Sequence, residues 1–148
     1  QIEGVRVAGS LHDLGMIAVP GELLGTPRRL TDYEFNLLKT HPLIGYNILK
    51  DIEFPWPVAD IILQHHERMD GSGYPNGIRN DAILVEARIL AVADVVEAIA
   101  SHRPYRPASS IDTALKTIED SSGILYDPSV VDKCVSLFRE KGYRFRED

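Results

Sequence analysis

The stretch from residue 85 to 101, VEARILAVADVVEAIAS, limits the folds open to this chain more than any other. It reads as one long helix, yet apolar residues fall on nearly every side of it. A helix of that kind must be packed around most of its circumference. The rest of the chain therefore has to supply elements that surround it. Asp94 lies in the middle of this apolar run. An unpaired buried carboxylate costs several kcal/mol, so Asp94 must be paired, hydrogen-bonded or bound to a metal.

The surrounding elements also read as helices. Residues 2–13 place Ile2, Val5, Ala8 and Leu11/His12 about one turn apart, with Gly15 as the expected stop. No capping signal precedes this helix, so it is expected to begin upstream of residue 1. Thr31-Asp32-Tyr33-Glu34 fits a capping box opening a helix with Phe35, Leu37 and Leu38. His41-Pro42 breaks or restarts it, and a further helix through Ile44, Ile48 and Leu49 ends before Pro55-Trp56-Pro57. Residues 57–66 form the next, ending in His65-His66. From Glu67 to Leu84 the glycines and Pro75 mark a long irregular loop, and loops of that length in a compact domain usually serve a function. Pro104 and Pro107 punctuate another turn. Ser109 or Ser110 caps a helix through Leu115 and Ile118, and Asp127-Pro128 opens the last one, with Val131, Val135 and Phe138. No alternating strand pattern occurs, so the expected fold is all-α, with about six or seven helices.

A length of 148 residues suits one domain, and 44% apolar with 26% charged residues excludes disorder. No apolar run approaches the roughly 18 residues that span a bilayer, so this segment is expected to be soluble, without membrane insertion. Cys134 is the one cysteine, which excludes an internal disulfide and a cysteine metal cluster and agrees with a reducing cytoplasm. The 22 carboxylates exceed the 16 Lys and Arg, a net charge of −6. Binding DNA through a broad basic face is thereby disfavoured, and an anionic substrate needs local help from a metal or an Arg cluster.

His12, Asp13, His41, His65, His66 and Asp94 supply nitrogen and oxygen donors and no sulfur, a set that suits Fe, Mn or Zn in a multinuclear site. On a regular helix His12 and Asp13 point about 100° apart and do not readily chelate one ion, but a carboxylate can bridge two. His65 and His66 can likewise serve separate ions. Two metals about 3.5–4 Å apart can accept the charge that builds on a phosphoryl group. Taken singly, each residue also has a plain structural reading. His41 can cap a helix, His65-His66 can be a satisfied buried pair, Asp94 can belong to a polar core network, and His102 belongs on the surface.

His12-Asp13-Leu14-Gly15, His41-Pro42, the run His65 to Pro75 (HHERMDGSGYP), Ala93-Asp94-Val95 and Arg103-Pro104-Tyr105-Arg106 together resemble the HD-GYP domain, a branch of the HD phosphohydrolase superfamily. HD alone is a weak motif; HHExxDGxGYP behind it is a strong one. The resemblance covers nearly the whole chain and implies an all-α HD-domain bundle. It also implies a bacterial signalling phosphodiesterase that hydrolyses cyclic di-GMP to pGpG or onward to GMP, with two or more iron or manganese ions. Carried over by motif, the metal ligands are His12, Asp13, His41, His65, His66 and Asp94, with Asp13 bridging and essential to catalysis. Arg103 and Arg106 are the substrate-binding residues, and Arg suits bidentate phosphate contact. Gly73, Tyr74 and Pro75 shape one side of the pocket and are implicated in contacting GGDEF-domain partners; a homodimer is the other expected assembly.

Two departures bear on activity. Met16 stands where the family usually has Lys, and a thioether offers neither charge nor a strong donor to the transition state. The further His, and in some members Glu, that the family carries about 30 residues before the HD pair would lie upstream of residue 1. Residues 1–148 are thus expected to be an HD-GYP domain short of its N-terminal helices, following a sensory or receiver domain of two-component signalling. The rival readings are an HD-GYP-like module that binds nucleotide or a GGDEF partner with little hydrolysis, and an HD hydrolase of another cyclic dinucleotide.

Overall fold

The computed structural model describes residues 2–25, 28–101 and 109–145. Among these the chain forms α1 (Ile2–Leu11), α2 (Gly21–Leu24), α3 (Asp32–Leu38), α4 (His41–Leu49), α5 (Val58–Gln64), α6 (Val85–Ala100), α7 (Ile111–Asp120) and α8 (Pro128–Arg139). Short 3-10 turns occupy Leu14–Ala18 and Asn80–Ala82. An isolated bridge between Ser122 and Tyr126 is the one β pairing among the described residues. The fold is all-α as expected, and the seven longer helices match the anticipated number, with α2 a single extra turn. No helix of the described residues is long and apolar enough to cross a membrane.

The capping chemistry places the helix starts. Thr31 Oγ1 accepts from the Glu34 amide at 3.3 Å while Glu34 accepts from the Thr31 amide at 2.7 Å, the reciprocal pair that opens α3. Ser110 accepts from the Thr113 amide to open α7. Asp127 accepts from the Ser129 amide at 2.9 Å, and Pro128 begins α8. Pro42 falls in the first turn of α4, where its missing N–H costs nothing, so His41-Pro42 restarts the chain as a new helix.

The apolar circumference of α6 is explained by two cores. Ala87 and Leu90 pack with Ala8 of α1, Leu49 of α4 and Val58, Ile61 and Ile62 of α5. Val92 and Val96 pack with Ala114, Leu115 and Ile118 of α7 and Val131 and Phe138 of α8. Helix α6 is thus the shared wall of both layers, and Asp94, with 20% of its side chain exposed, faces out between them toward the end of α1.

Helix α1 ends at Leu11, before Gly15, because the chain turns at His12-Asp13 into the 3-10 segment. Gly15 lies inside that segment, against the backbone carbonyl of His41; a Cβ on it would collide with that oxygen. The glycine is a close-approach position rather than a helix stop, and it seats the His12-Asp13 turn on the start of α4.

Candidate metal centre

Three helix ends meet at the site. His12 follows the last residue of α1, His41 follows the end of α3, and His65 follows the end of α5. The last carbonyls of a helix have no partner within it. Here imidazoles fill the gap: Nδ1 of His12 donates to the Gly9 carbonyl (2.7 Å), that of His41 to Leu38 (2.8 Å) and that of His65 to Ile62 (2.5 Å). A carbonyl only accepts, so Nδ1 carries a proton in each ring and Nε2 is the atom turned to the site. Such bonds fix the tautomer and ring angle of metal-binding histidines.

These Nε2 atoms converge. Those of His41 and His65 lie 3.4 Å apart. With both Nδ1 atoms donating, two neutral rings present lone pairs to each other, a repulsive arrangement that a cation between them relieves. The separation is one that two ligand bonds of about 2.1 Å can span. One donor atom from each of His41, His65 and His66 falls within 4.8 Å of the others. Nε2 of His12 lies 3.4 Å from Asp13 Oδ2 and 3.7 Å from Asp94 Oδ1, and Asp13 Oδ1 lies 3.7 Å from Nε2 of His41. The two oxygens of Asp13 therefore face two different histidines. The expectation that His12 and Asp13 diverge fails because neither lies within a regular helix; the turn after α1 brings their donors together. His41, His65 and His66 thus form one close group of donors, and His12, Asp13 and Asp94 join it through pairwise contacts of 3.4–3.7 Å; the set fits a divalent metal by donor type and, at His41 and His65, by the opposed lone pairs.

Burial sets the protonation of the cluster. It pushes the His41 imidazole below its ordinary value, His65 down to about 4 and His66 down to about 2, the last two further depressed by neighbouring imidazoles. These rings are neutral, ligand-ready bases at pH 7. His12 goes the other way, to about 9, because Asp94 and then Asp13 hold its proton against the effect of burial. Burial raises the Asp94 carboxyl, but His12 and the other histidines outweigh it and leave the group lowered and ionised.

The irregular loop after α5 closes one side. Tyr74 stacks on His66 with ring centres 4.8 Å apart and planes 25° apart, and its amide donates to the His66 carbonyl at 3.2 Å. Burial raises the Tyr74 phenol to about 12, so it stays protonated. Gly73 packs against the backbone of residues 66–68, where a Cβ would come within 2.5 Å. The Lys39 ammonium lies over the Phe35 and Tyr74 rings, 4.8 and 5.6 Å from their centres. Met16 is half-buried in the 3-10 turn, its amide on the Asp13 carbonyl. Arg103, Arg106 and His102 lie outside the described residues. The residues that sequence reasoning missed are Glu67, which is buried, and the helix-end carbonyls. The carbonyls left a readable signal, since each of these histidines stands three residues after its acceptor at the close of an apolar helical repeat.

A model of the HD domain family matches residues 1–130. RpfG of Xanthomonas campestris pv. campestris, named a cyclic di-GMP phosphodiesterase response regulator, is 46% identical over 134 residues, 89% of this chain and 35% of that protein. A protein of Thermotoga maritima named cyclic di-GMP phosphodiesterase is 41% identical over 138 residues, 92% of this chain and 38% of its own length. The chain thus spans little more than a third of these relatives. Among solved structures, Bd1817, an HDG"Y"P protein of Bdellovibrio bacteriovorus, matches with a TM-score of 0.73 over 92% of this chain and 43% of that one, at 20% identity. That is a likeness of fold.

Proposed function

Since this chain belongs to the HD domain family, we propose that it is the catalytic domain of a metal-dependent phosphodiesterase of the HD-GYP branch, hydrolysing cyclic di-GMP to pGpG or on to GMP. The observation that supports this reading is the convergence of donor atoms of His41, His65 and His66 within 4.8 Å of one another, with the Nε2 atoms of His12 and His41 within 3.7 Å of Asp13 and Asp94 oxygens. The names of the relatives support the substrate.

In this reading His12, Asp13, His41, His65, His66 and Asp94 hold two or more divalent ions, iron or manganese. Such ions activate water and offset the charge that builds on phosphorus. The remaining chemistry belongs to the chain itself. Asp13, whose two oxygens lie toward His12 and His41, would contribute its carboxylate to holding these ions. Asp94 holds His12 in position, and neutral His41, His65 and His66 offer lone pairs without first giving up a proton at pH 7. Tyr74 with Gly73 and Pro75 walls the site and is the face offered to a GGDEF-domain partner. Arg103 and Arg106 orient the dinucleotide through its phosphates. Met16 contributes no charge, so turnover rests on the ions and these arginines.

The test is hydrolysis of cyclic di-GMP by protein loaded with Mn2+ or Fe2+ in the absence of oxygen, with products separated by chromatography. Asp13→Ala should lower turnover by at least about a hundredfold, more than loss of a supporting partner of a metal ligand costs. Its side chain is 55% exposed, so the helical circular dichroism should remain. Unchanged turnover in that variant rejects the assignment. Binding without product by the wild type would make the domain a sensing or docking module instead, and absence of both would reject either role.

A further inference from the structure

Glu67 follows the two histidines of the HHE run, yet it takes no part in the cluster. It is 3% exposed. Its Oε1 accepts from two successive loop amides, Asn76 at 2.7 Å and Gly77 at 3.2 Å. Its Oε2 is buried with no hydrogen-bond partner among the described residues. The residue also borders a cavity of about 10 Å³, shared with Arg88, Tyr126 and Asp127 and large enough for about one water. Arg88 does not explain the carboxylate, because its guanidinium is already paired with Asp127 at 3.0 Å. Burying a carboxylate with one oxygen unpartnered costs stability. What Glu67 provides in return is a charge-assisted hold on the chain immediately after Tyr74-Pro75.

The consequence reaches the histidines. The segment from Gly73 to Gly77 is fastened at two points: at its start by the Tyr74 amide on the His66 carbonyl, and at its end by Glu67. Between these points the Tyr74 ring lies on the His66 ring. His66 is the one histidine of the four whose ring is fixed by this stack, while His12, His41 and His65 have carbonyl acceptors. We propose that Glu67 is a positioning residue that latches the Gly73–Gly77 segment so that Tyr74 fixes the ring of His66 for metal binding. This rests on the metal-centre reading above, and it assigns Glu67 the part that a helix-end carbonyl plays for the other three.

Native-state hydrogen exchange and Mn2+ titration test it without recourse to turnover. Asn76 and Gly77 amides should be protected in the wild type and exchange at least about tenfold faster in Glu67→Ala, with the Mn2+ dissociation constant raised about tenfold, as for other supporting partners of metal ligands. Glu67→Gln keeps an oxygen for both amides and should bind Mn2+ within about threefold of wild type, since hydrogen bonds to a neutral acceptor are modestly weaker. Combining Glu67→Ala with Tyr74→Ala should weaken binding no further than Tyr74→Ala alone, because both act through one contact. Unchanged Mn2+ affinity in folded Glu67→Ala, or multiplied losses in the double variant, overturns the latch. Should Glu67→Ala not fold, fast exchange of the two amides in the wild type, or unchanged Mn2+ affinity in Tyr74→Ala, overturns it equally. A wild type that binds no Mn2+ would remove the metal-centre reading and the latch's purpose together. A wild type that binds Mn2+ but hydrolyses no cyclic di-GMP would remove the proposed substrate and leave the latch standing.

Discussion

Four histidines share one cluster but do not titrate alike, and the difference has a measurable consequence. Burial holds His65 near 4, below its ordinary value of about 6.5, so it binds its proton less readily folded than unfolded. Its contribution is complete above pH 6.5 and is lost as pH falls toward 4, on the order of 3 kcal/mol in all. His12, raised to about 9 by Asp94 and Asp13, behaves oppositely: its contribution is complete below 6.5 and is lost as pH rises through 9. The metal-free protein, treated with a chelator, should therefore melt highest near pH 6.5. Its acid limb should begin there, well above the carboxylate range near 4, and an alkaline limb should run toward 9. A melting temperature flat from pH 5 to 8 would contradict this distribution of protons. Asp94 was legible as an anomaly because a carboxylate in an apolar run needs a partner. Glu67 was not, since nothing in HHERMDG distinguishes a buried loop clamp from a solvated acid.

The elements that could be read from sequence are those whose ends carry their own chemistry. Thr31 with Glu34, Ser110, and Asp127 with Pro128 mark helix starts at the residues where the helices begin. Thr31→Ala should cost about 1 kcal/mol, read from thermal melts. Asp127→Ala should cost more, about 2–3 kcal/mol, because it removes a cap and also the less exposed of the two carboxylates paired with Arg88. The short turns at Leu14–Ala18 and Gly21–Leu24 went unread, since so few residues cannot show a helical period. The first of these is where the geometry of the site is decided. It ends α1 early, brings His12 and Asp13 onto one point and rests on α4 through Gly15. Gly15→Ala should accordingly lower the melting temperature by the equivalent of at least about 2 kcal/mol, since backbone rather than a flexible side chain must move. It should also weaken Mn2+ binding. A destabilised variant with full Mn2+ affinity would show that the turn is not what aligns the donors.

At the scale of the molecule, the donors are not spread over the fold. His12, His65 and His66 follow the ends of α1 and α5 and His41 opens α4, and these three helices supply Ala8, Leu49, Val58, Ile61 and Ile62 to one core. The other core, around Leu115, Ile118 and Val131, holds α7 and α8 to the far part of α6 and contributes no described donor. The single exception is Asp94, on the helix that both share. A metal bound here would cross-link the first layer, so layer and ligand should be coupled while the second layer is not. Ile61→Ala and Leu115→Ala make this measurable. Both side chains are buried, at 0% and 1% exposure, and each truncation should cost about 2–5 kcal/mol. With both variants held well below their melting temperatures, Ile61→Ala should weaken Mn2+ binding several-fold, because Ile61 and Ile62 anchor the turn of α5 that aims His65 and His66. Leu115→Ala should leave Mn2+ affinity within about twofold of wild type, sites without shared partners being nearly additive. Added Mn2+ should correspondingly raise the melting temperature less in Ile61→Ala than in Leu115→Ala, as weaker binding at equal metal concentration requires. Equal losses of affinity in the two variants would mean that α6 transmits strain between the layers, and that the carboxylate on it, rather than the histidine-bearing helix ends, governs the fit of the ion.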